Sequence, residues 1–330
     1  MLTPLIGMTL SQLEAVVDEA GLRPFVAKQI ARRLYVGRVT DLDQITELSK
    51  AARQALGEKY CVGRTAPCRE SRSADGTVKY LFATSTPDVS YLDRGRGGMD
   101  IEAVYIPDRD RATLCVSSQA GCRMGCRFCM TGQQGFHGDL TAAGIINQIL
   151  SIPESDTLTN IVFMGMGEPM DNVGNVLQAI EVLTAPWGLA WSPKRITVSS
   201  IGKIDGLKRL LDETQVHVAI SVHSPFPDER EDLMPVQRAY SLRSVMELMR
   251  GYDFAHQRRL SAEYIMWLGL NDDMHHAEAL ARVLRGTDSR VNLIRFHAIP
   301  GCEGKPSTRE RMERFRDRLN ELGVTATIRA

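Results

Sequence analysis

No stretch of this 330-residue chain approaches the roughly 20 consecutive apolar residues that a membrane-spanning helix requires. Its first residues, MLTPLIGMTL, lack a charged leader ahead of an apolar core. A cytoplasmic location with no membrane partner is therefore expected. Excess charge is missing too: 40 Lys and Arg balance 40 Asp and Glu. Bulk charge singles out no polyanion, and a nucleic-acid binder of this composition has to gather positive charge locally. Internal repeats and low-complexity segments are absent. The cysteine count is odd, seven, which argues against a disulfide framework and for metal or catalytic use. Four of the seven lie between positions 115 and 129. The rest is ordinary for a globular chain, 43% hydrophobic and 24% charged, long enough for one large domain and a small accessory one.

Residues 1 to about 60 read as short helices. SQLEAVVDEA has apolar residues at helical spacing behind Ser11, an N-cap candidate with Glu14 three residues on. PFVAKQIARRLY follows, with Pro24 suited to a first turn and Phe25, Ile30 and Leu34 on one face. LSKAARQALGEKY is the third. Then come β-like runs, TVKYLFAT after the turn signal Asp75-Gly76 and IEAVYIP ending at Pro107. Between them TPDVSYLDRGRGGM, rich in glycine and charge, predicts a loop.

From about residue 110 the apolar runs ATLCVSS, NIVFMGM, RITVSS, HVAISVH, AEYIMWL and VNLIRFHAI alternate with amphipathic segments. Such alternation implies an α/β fold of parallel strands with right-handed crossovers. About six units suit a partial (β/α)6 barrel better than a complete eight-fold one, with an open doubly wound sheet as the competitor. The expected division is a helical accessory domain over 1–65, a β-rich connection over 66–108 and the barrel over 109–330.

Cys122-Arg-Met-Gly-Cys126-Arg-Phe-Cys129 has the spacing C-x3-C-x2-C just after a strand. Three thiolates in one short loop can hold three irons of a [4Fe–4S] cubane and leave the fourth open to another ligand. Gly121 and Gly125 let the backbone wrap closely. The alternatives are a three-thiolate zinc site or three structural thiols. Zinc loops usually bring a second ligand pair elsewhere, and none here fits.

C-x3-C-x-aromatic-C after the first barrel strand resembles the radical S-adenosylmethionine (SAM) superfamily. Gly165-Met166-Gly167-Glu168-Pro169 after NIVFM, ATLCVSSQAGC before the cysteines, ITVSS at 196–200 and SVH at 221–223 narrow the resemblance. Together with PFVAKQIARRLY, LSKAAR and SADGTVKYLF they are similar to the adenosine-C2 RNA methyltransferases of the RlmN/Cfr type, over residues 5 to 329. The resemblance implies a cluster on Cys122, Cys126 and Cys129 whose open iron chelates SAM. It implies cofactor contacts from Phe128, Gly167, Glu168, Ser199, Ser221, Val222 and His223.

The chemical problem is to methylate an electron-poor ring carbon that has no lone pair. By resemblance, one SAM methylates a cysteine near the carboxyl terminus. A second is reduced to a 5′-deoxyadenosyl radical that activates that methyl group for addition to adenine C2. Cys115 matches the cysteine that takes the C2 proton and releases the adduct through a transient disulfide. Glu102 matches a position assigned as a proton acceptor. Read without the family, Cys115 is a small buried hydrophobe and Glu102 an edge charge.

Two departures stand out. The family's cofactor-contacting Asn is His297 here, in FHAIPG, where a hydrogen-bond donor is kept. The family's strand equivalent to TATIRA continues into a basic turn and the methyl-carrying cysteine, which this sequence does not include. The expectation is a form shortened relative to the natural protein and unable to transfer methyl until the segment is restored. Cys302 lies before the final helix and is not given that role.

The implied partners are RNA (23S rRNA and/or tRNA) and a one-electron reductant such as flavodoxin or ferredoxin, acting on a monomer. Twelve Lys and Arg against ten Asp and Glu over residues 1–90 add little support. Lys28, Arg32 and Arg33 fit phosphate contacts or a solvated face equally. Arg309 to Arg318, interleaved with acids, reads as a helix laced with salt bridges. Cys61 and Cys68 read as structural, and His275-His276 as a solvated pair. An RNA-binding relative without methyl transfer, or a radical SAM enzyme with another substrate, stays open.

Overall fold

Thr9, two residues before the expected Ser11, caps the first helix, Leu10–Glu19: its hydroxyl accepts from Gln12 N, and Gln12 Oε1 accepts from Thr9 N at 2.8 Å. A capping box needs a Gln or Glu at its third position, and Gln12 answers to Thr9 as Glu14 would have answered to Ser11. The computed structural model describes residues 1–95 and 98–329. They form two units: Met1–Gly121 with Phe136–Gly167 and Asn172–Ile196, and Cys122–Gly135 with Glu168–Asp171 and Thr197–Ala330.

In the first unit, helix Leu10–Glu19 packs on Val26–Tyr35. The second helix buries Val26, Ile30 and Leu34, a stripe with four-residue spacing. Phe25, expected on that face, is 55% exposed, because it sits one residue before the helix and off the stripe. The third helix, Lys50–Gly57, is capped by Ser49.

An antiparallel ribbon follows. Arg69–Arg72 pairs with Val78–Phe82 across the expected Asp75-Gly76 turn, then come Ile101–Asp108 and Arg111–Cys115. Strand Arg111–Cys115 also pairs, in parallel, with Asn160–Phe163. Along the ribbon Val78, Tyr80, Phe82, Ile101 and Ala103 are buried, the two-residue period of a one-sided sheet. The segment expected as a loop contains a strand, Leu92–Gly95, paired with Phe136–Leu140. Its composition hides this because the pairing is supplied from more than 40 residues away. The rest of that loop includes residues 96 and 97, which lie outside the described residues.

The second unit realises the strand–helix alternation. Ile196–Ser200 (all but its first residue), His217–Ser221, Leu260–Met266, Ser289–Arg295 and Ala326–Arg329 pair in parallel in chain order. Helices Ile204–Glu213, Pro227–Leu233, Leu242–Arg250, Met274–Leu284 and Arg309–Glu321 intervene. Val218, Ile220, Tyr264, Leu293 and Phe315 are buried, with Tyr264 and Phe315 ring centroids 5.3 Å apart. One register row, Ser221–Glu263–Asn292–Thr327, is polar instead. There Glu263 accepts from Asn292 Nδ2 and Ser261 Oγ, both at 2.8 Å.

His276 corrects the expectation of a solvated pair. It is buried, with Nδ1 2.8 Å from Asp273 and Nε2 3.0 Å from Glu229, because the first turn of its helix faces inward. The last helix matches its reading, with Arg309–Glu313 at 2.9 Å and Arg318 on Glu278 and Glu321. No helix among the described residues is long and apolar enough to cross a membrane.

Candidate metal centre

Cys122, Cys126 and Cys129 all lie on one segment of the second unit. Gly125 (φ +64°) has open space where a Cβ would be, so backbone conformation and not crowding calls for glycine there. Cys122 N donates to Gly135 O at 2.8 Å, Cys129 N to Cys126 O at 3.1 Å and Arg127 N to Leu233 O at 3.0 Å. Cys122 and Cys126 are each 8% exposed, and Cys129 is half-buried. Cys126 packs with Ile201, Leu233, Met234, Trp267 and Phe296, and Phe128 and Cys302 border this wall. Burial pushes the Cys122 thiol up to about 11. Burial, then the neighbouring cysteines and Glu168, pushes Cys126 up to about 12, and Arg230 acts in the opposite sense.

Phe128 meets the His223 ring edge-on at 4.7 Å and Trp267 at 5.6 Å. His223 has φ +57°, a strained conformation for a non-glycine residue of the kind that concentrates at functional sites. Its Nδ1 accepts from Ile265 N at 3.1 Å, and Asn271 Nδ2 donates to its carbonyl at 2.6 Å. Burial holds its pKa down at about 3, so the imidazole is neutral and carries its proton on Nε2. Ser199 is half-buried on its strand and Val222 fully buried.

Glu168 is buried, with Oε1 accepting from Met170 N and Oε2 from Ile201 N, each at 3.0 Å. Burial outweighs these bonds and raises its pKa to about 7. Asp171 binds Arg123 Nε at 2.9 Å and Lys203 Nζ, which ties the cysteine segment to the residues after Glu168. His297 is exposed just beyond strand Ser289–Arg295.

Gly167, Cys115 and Glu102 belong to the first unit. Gly167 has φ +97°, and a Cβ there would lie 2.5 Å from Gln119 Cβ. Cys115 ends its strand with a thiol that burial raises to about 11. Glu102 faces away from the ribbon's buried side and pairs with Lys79 Nζ at 3.1 Å. All seven cysteines are free. The transient disulfide that the resemblance implies for Cys115 is not among the bonds of this structure.

Arg230, Trp267 and Asn271 escaped the sequence reading. Arg230 sits in PDEREDL, whose charge reads as a solvated face, yet it is 0% exposed. Among the described residues no three His, Cys, Asp or Glu side chains converge on one ion position.

The family model of the radical SAM superfamily matches residues 116–284. That of the ribosomal RNA large subunit methyltransferase N-terminal domain matches residues 3–62. A Bacteroides fragilis relative described as "Probable dual-specificity RNA methyltransferase RlmN" is 53% identical over 327 residues, covering 99% of this chain and 92% of its own. The dual-specificity RNA methyltransferase RlmN of Halorhodospira halophila is 40% identical, covering 98% and 89%. The crystal structure of a radical SAM methyltransferase from Sphaerobacter thermophilus superposes with a TM-score of 0.89 at 35% identity, covering 99% and 95%.

Proposed function

Because the chain belongs to the radical SAM superfamily, and within it to the RlmN family of RNA methyltransferases, we propose that it methylates C2 of adenosine in ribosomal and transfer RNA. The protein is a radical SAM RNA methyltransferase that works with a [4Fe–4S] cluster and SAM. The observation that carries the residue assignment is the cysteine segment itself. Its three soft thiols, two of them buried, fit a cubane that takes three thiolates, and no other ligating side chain completes a single-ion set among the described residues. A cluster held there supplies the single electron that splits the sulfonium of SAM.

Glu168 accepts the cofactor's amino group. Poised at about 7, its carboxyl is driven to the charged form by a neighbouring ammonium. Phe128 stands beside the adenine, backed by His223 and Trp267. Neutral His223 offers its Nε2 proton, and the Ser221–Val222 backbone, Ser199, Gly167 and His297 complete the cofactor contacts. Cys115 Sγ and the Glu102 carboxylate accept protons from the substrate. Burial raises the Cys115 pKa to about 11, so at physiological pH it is a neutral thiol that gives up its own proton before it accepts the substrate's. Residues 1–65 hold the RNA, 66–108 connect and 109–330 form the barrel of a monomeric enzyme served by a flavodoxin- or ferredoxin-class reductant.

The test is anaerobic reconstitution of the whole chain. Stoichiometric iron and sulfide, a broad absorbance near 400 nm and SAM cleavage on reduction are expected. All three are expected to vanish in Cys126→Ala. Zinc alone, or no metal, overturns the assignment. Nucleoside mass spectrometry of RNA from cells with and without the gene reads the product, and an unchanged adenosine profile refutes the C2 reading.

A further inference from the structure

Among the described residues Arg230 is the largest fully buried side chain, at 0% exposure. Its Nη1 donates to Gln237 Oε1 at 2.6 Å, and its Nη2 to the carbonyls of Ile201 at 2.8 Å and Ser221 at 3.1 Å. Every one of these acceptors is uncharged. The Nε–H has no hydrogen-bond partner at all. A buried guanidinium paired with neither carboxylate nor phosphate costs several kcal/mol, so a compensating negative charge close by is expected.

The surroundings supply one. Helix Pro227–Leu233, which carries Arg230, leads directly into the wall around Cys126: Leu233 and Met234 pack there, and Leu233 O accepts from Arg127 N at 3.0 Å, inside the cysteine segment. Ile201, whose carbonyl accepts from Arg230 Nη2 at 2.8 Å, packs with Cys126 in the same wall. Burial brings Arg230 down only to about 10, so it stays charged at neutral pH. Its two main-chain acceptors lie at the carboxyl ends of Ile196–Ser200 and His217–Ser221, the strands that lead into the proposed cofactor contacts.

We propose that Arg230 is the buried counter-charge of the cluster held by Cys122, Cys126 and Cys129, a positioning residue that joins two strand ends and sets the reduction potential of the cluster. The inference rests on the ligation proposed above. One electron added to a thiolate-bound cluster increases its negative charge, and a fixed cation nearby favours that reduced form.

The experiment is a potentiometric titration of the reconstituted whole chain, followed by the electron paramagnetic resonance signal of the reduced cluster. Arg230→Met removes the charge. Gln237→Glu leaves Arg230 in place, keeps the acceptor oxygen that also serves Leu242 N, and cancels the charge. Arg230→Lys keeps the charge with fewer hydrogen bonds. In the Met and Glu variants the ratio of reduced to oxidised cluster at a fixed potential is expected to fall about tenfold, about 59 mV for one electron. The Lys variant is expected to titrate within about twofold of the parent. If Met fails to take up iron, Glu decides. Parent-like titration of Gln237→Glu, an equal negative shift in Arg230→Lys, or failure of all three variants to take up iron assigns Arg230 to the fold alone and overturns the proposal. A parent protein without stoichiometric iron and sulfide instead overturns the ligation beneath it.

Discussion

Replacing Gly167 by Ala is the sharpest test of the turn that presents Glu168. The glycine has φ +97°, a region that side-chain-bearing residues rarely enter, and its added Cβ would lie 2.5 Å from Gln119 Cβ, 2.7 Å from Cγ and 2.8 Å from N. Gln119 has no room to retreat. It is 0% exposed, its N donates to Met166 O at 3.2 Å, and its amide donates to Asp139 Oδ1 at 2.6 Å. Backbone strain of about 1–3 kcal/mol adds to overpacking of about 1–3 kcal/mol, so a loss of about 2–6 kcal/mol is expected in equilibrium urea unfolding. Glu168 follows directly, and its two oxygens need Met170 N and Ile201 N at 3.0 Å. A displaced turn is therefore expected to weaken SAM binding at least tenfold, about 1.4 kcal/mol, measured by calorimetry on the oxidised reconstituted protein. Gly174→Ala is the control: it lies within helix Val173–Thr184 with nothing near its Cβ position, and a gain of about 0.5–1 kcal/mol is expected. A Gly167→Ala protein that unfolds within about 1 kcal/mol of the parent and binds SAM equally well refutes the reasoning.

Glu168, raised from 4.5 to about 7 by burial, contributes about 3 kcal/mol of stability that is fully present below pH 4.5 and lost as pH rises through 7. Urea unfolding between pH 4.5 and 8 is expected to show this decline flattened in Glu168→Ala, and a steeper decline in the variant contradicts it. The Cys115 thiol, raised to about 11, is expected to alkylate with iodoacetamide at a rate that climbs about tenfold per pH unit from 8 toward 11, read by peptide mass spectrometry. A plateau near pH 9 refutes the burial argument. Phe315→Ala, which removes a fully buried ring against Tyr264, is expected to cost about 3–5 kcal/mol in urea unfolding, and a loss under 1 kcal/mol refutes its place in the core.

The strands of the second unit were legible in the sequence because each is a short apolar run bounded by polar turns, and their parallel order follows from the helices between them. The cysteine segment was legible for a similar reason: its chemistry is local, with three thiols and the glycines that turn the chain within nine residues. What stayed hidden depends on partners distant in sequence. Strand Leu92–Gly95 exists only because Phe136–Leu140 lies beside it. His276 is buried because Glu229, 47 residues earlier, meets its Nε2. Arg230 sits among acids in PDEREDL, and nothing local distinguishes it from the exposed Arg238, which pairs with Glu231 at 2.6 Å on the surface. A short-range pattern cannot report which of two arginines eight residues apart faces inward.

That distinction matters because one wall does two things at once. Ile201, Leu233, Met234, Trp267 and Phe296 keep water from Cys126. Burial also pushes the thiols of Cys122 and Cys126 up, Glu168 up and His223 down, each toward its neutral form. A metal centre that binds there must displace the thiol protons, so iron uptake is coupled to proton release. A guanidinium holds its charge at physiological pH even when buried, so the cation proposed as the counter-charge of the cluster persists behind the wall. Burial alone therefore favours neutral groups around Cys126, and the proposed counter-charge of Arg230 offsets that preference for a negatively charged centre.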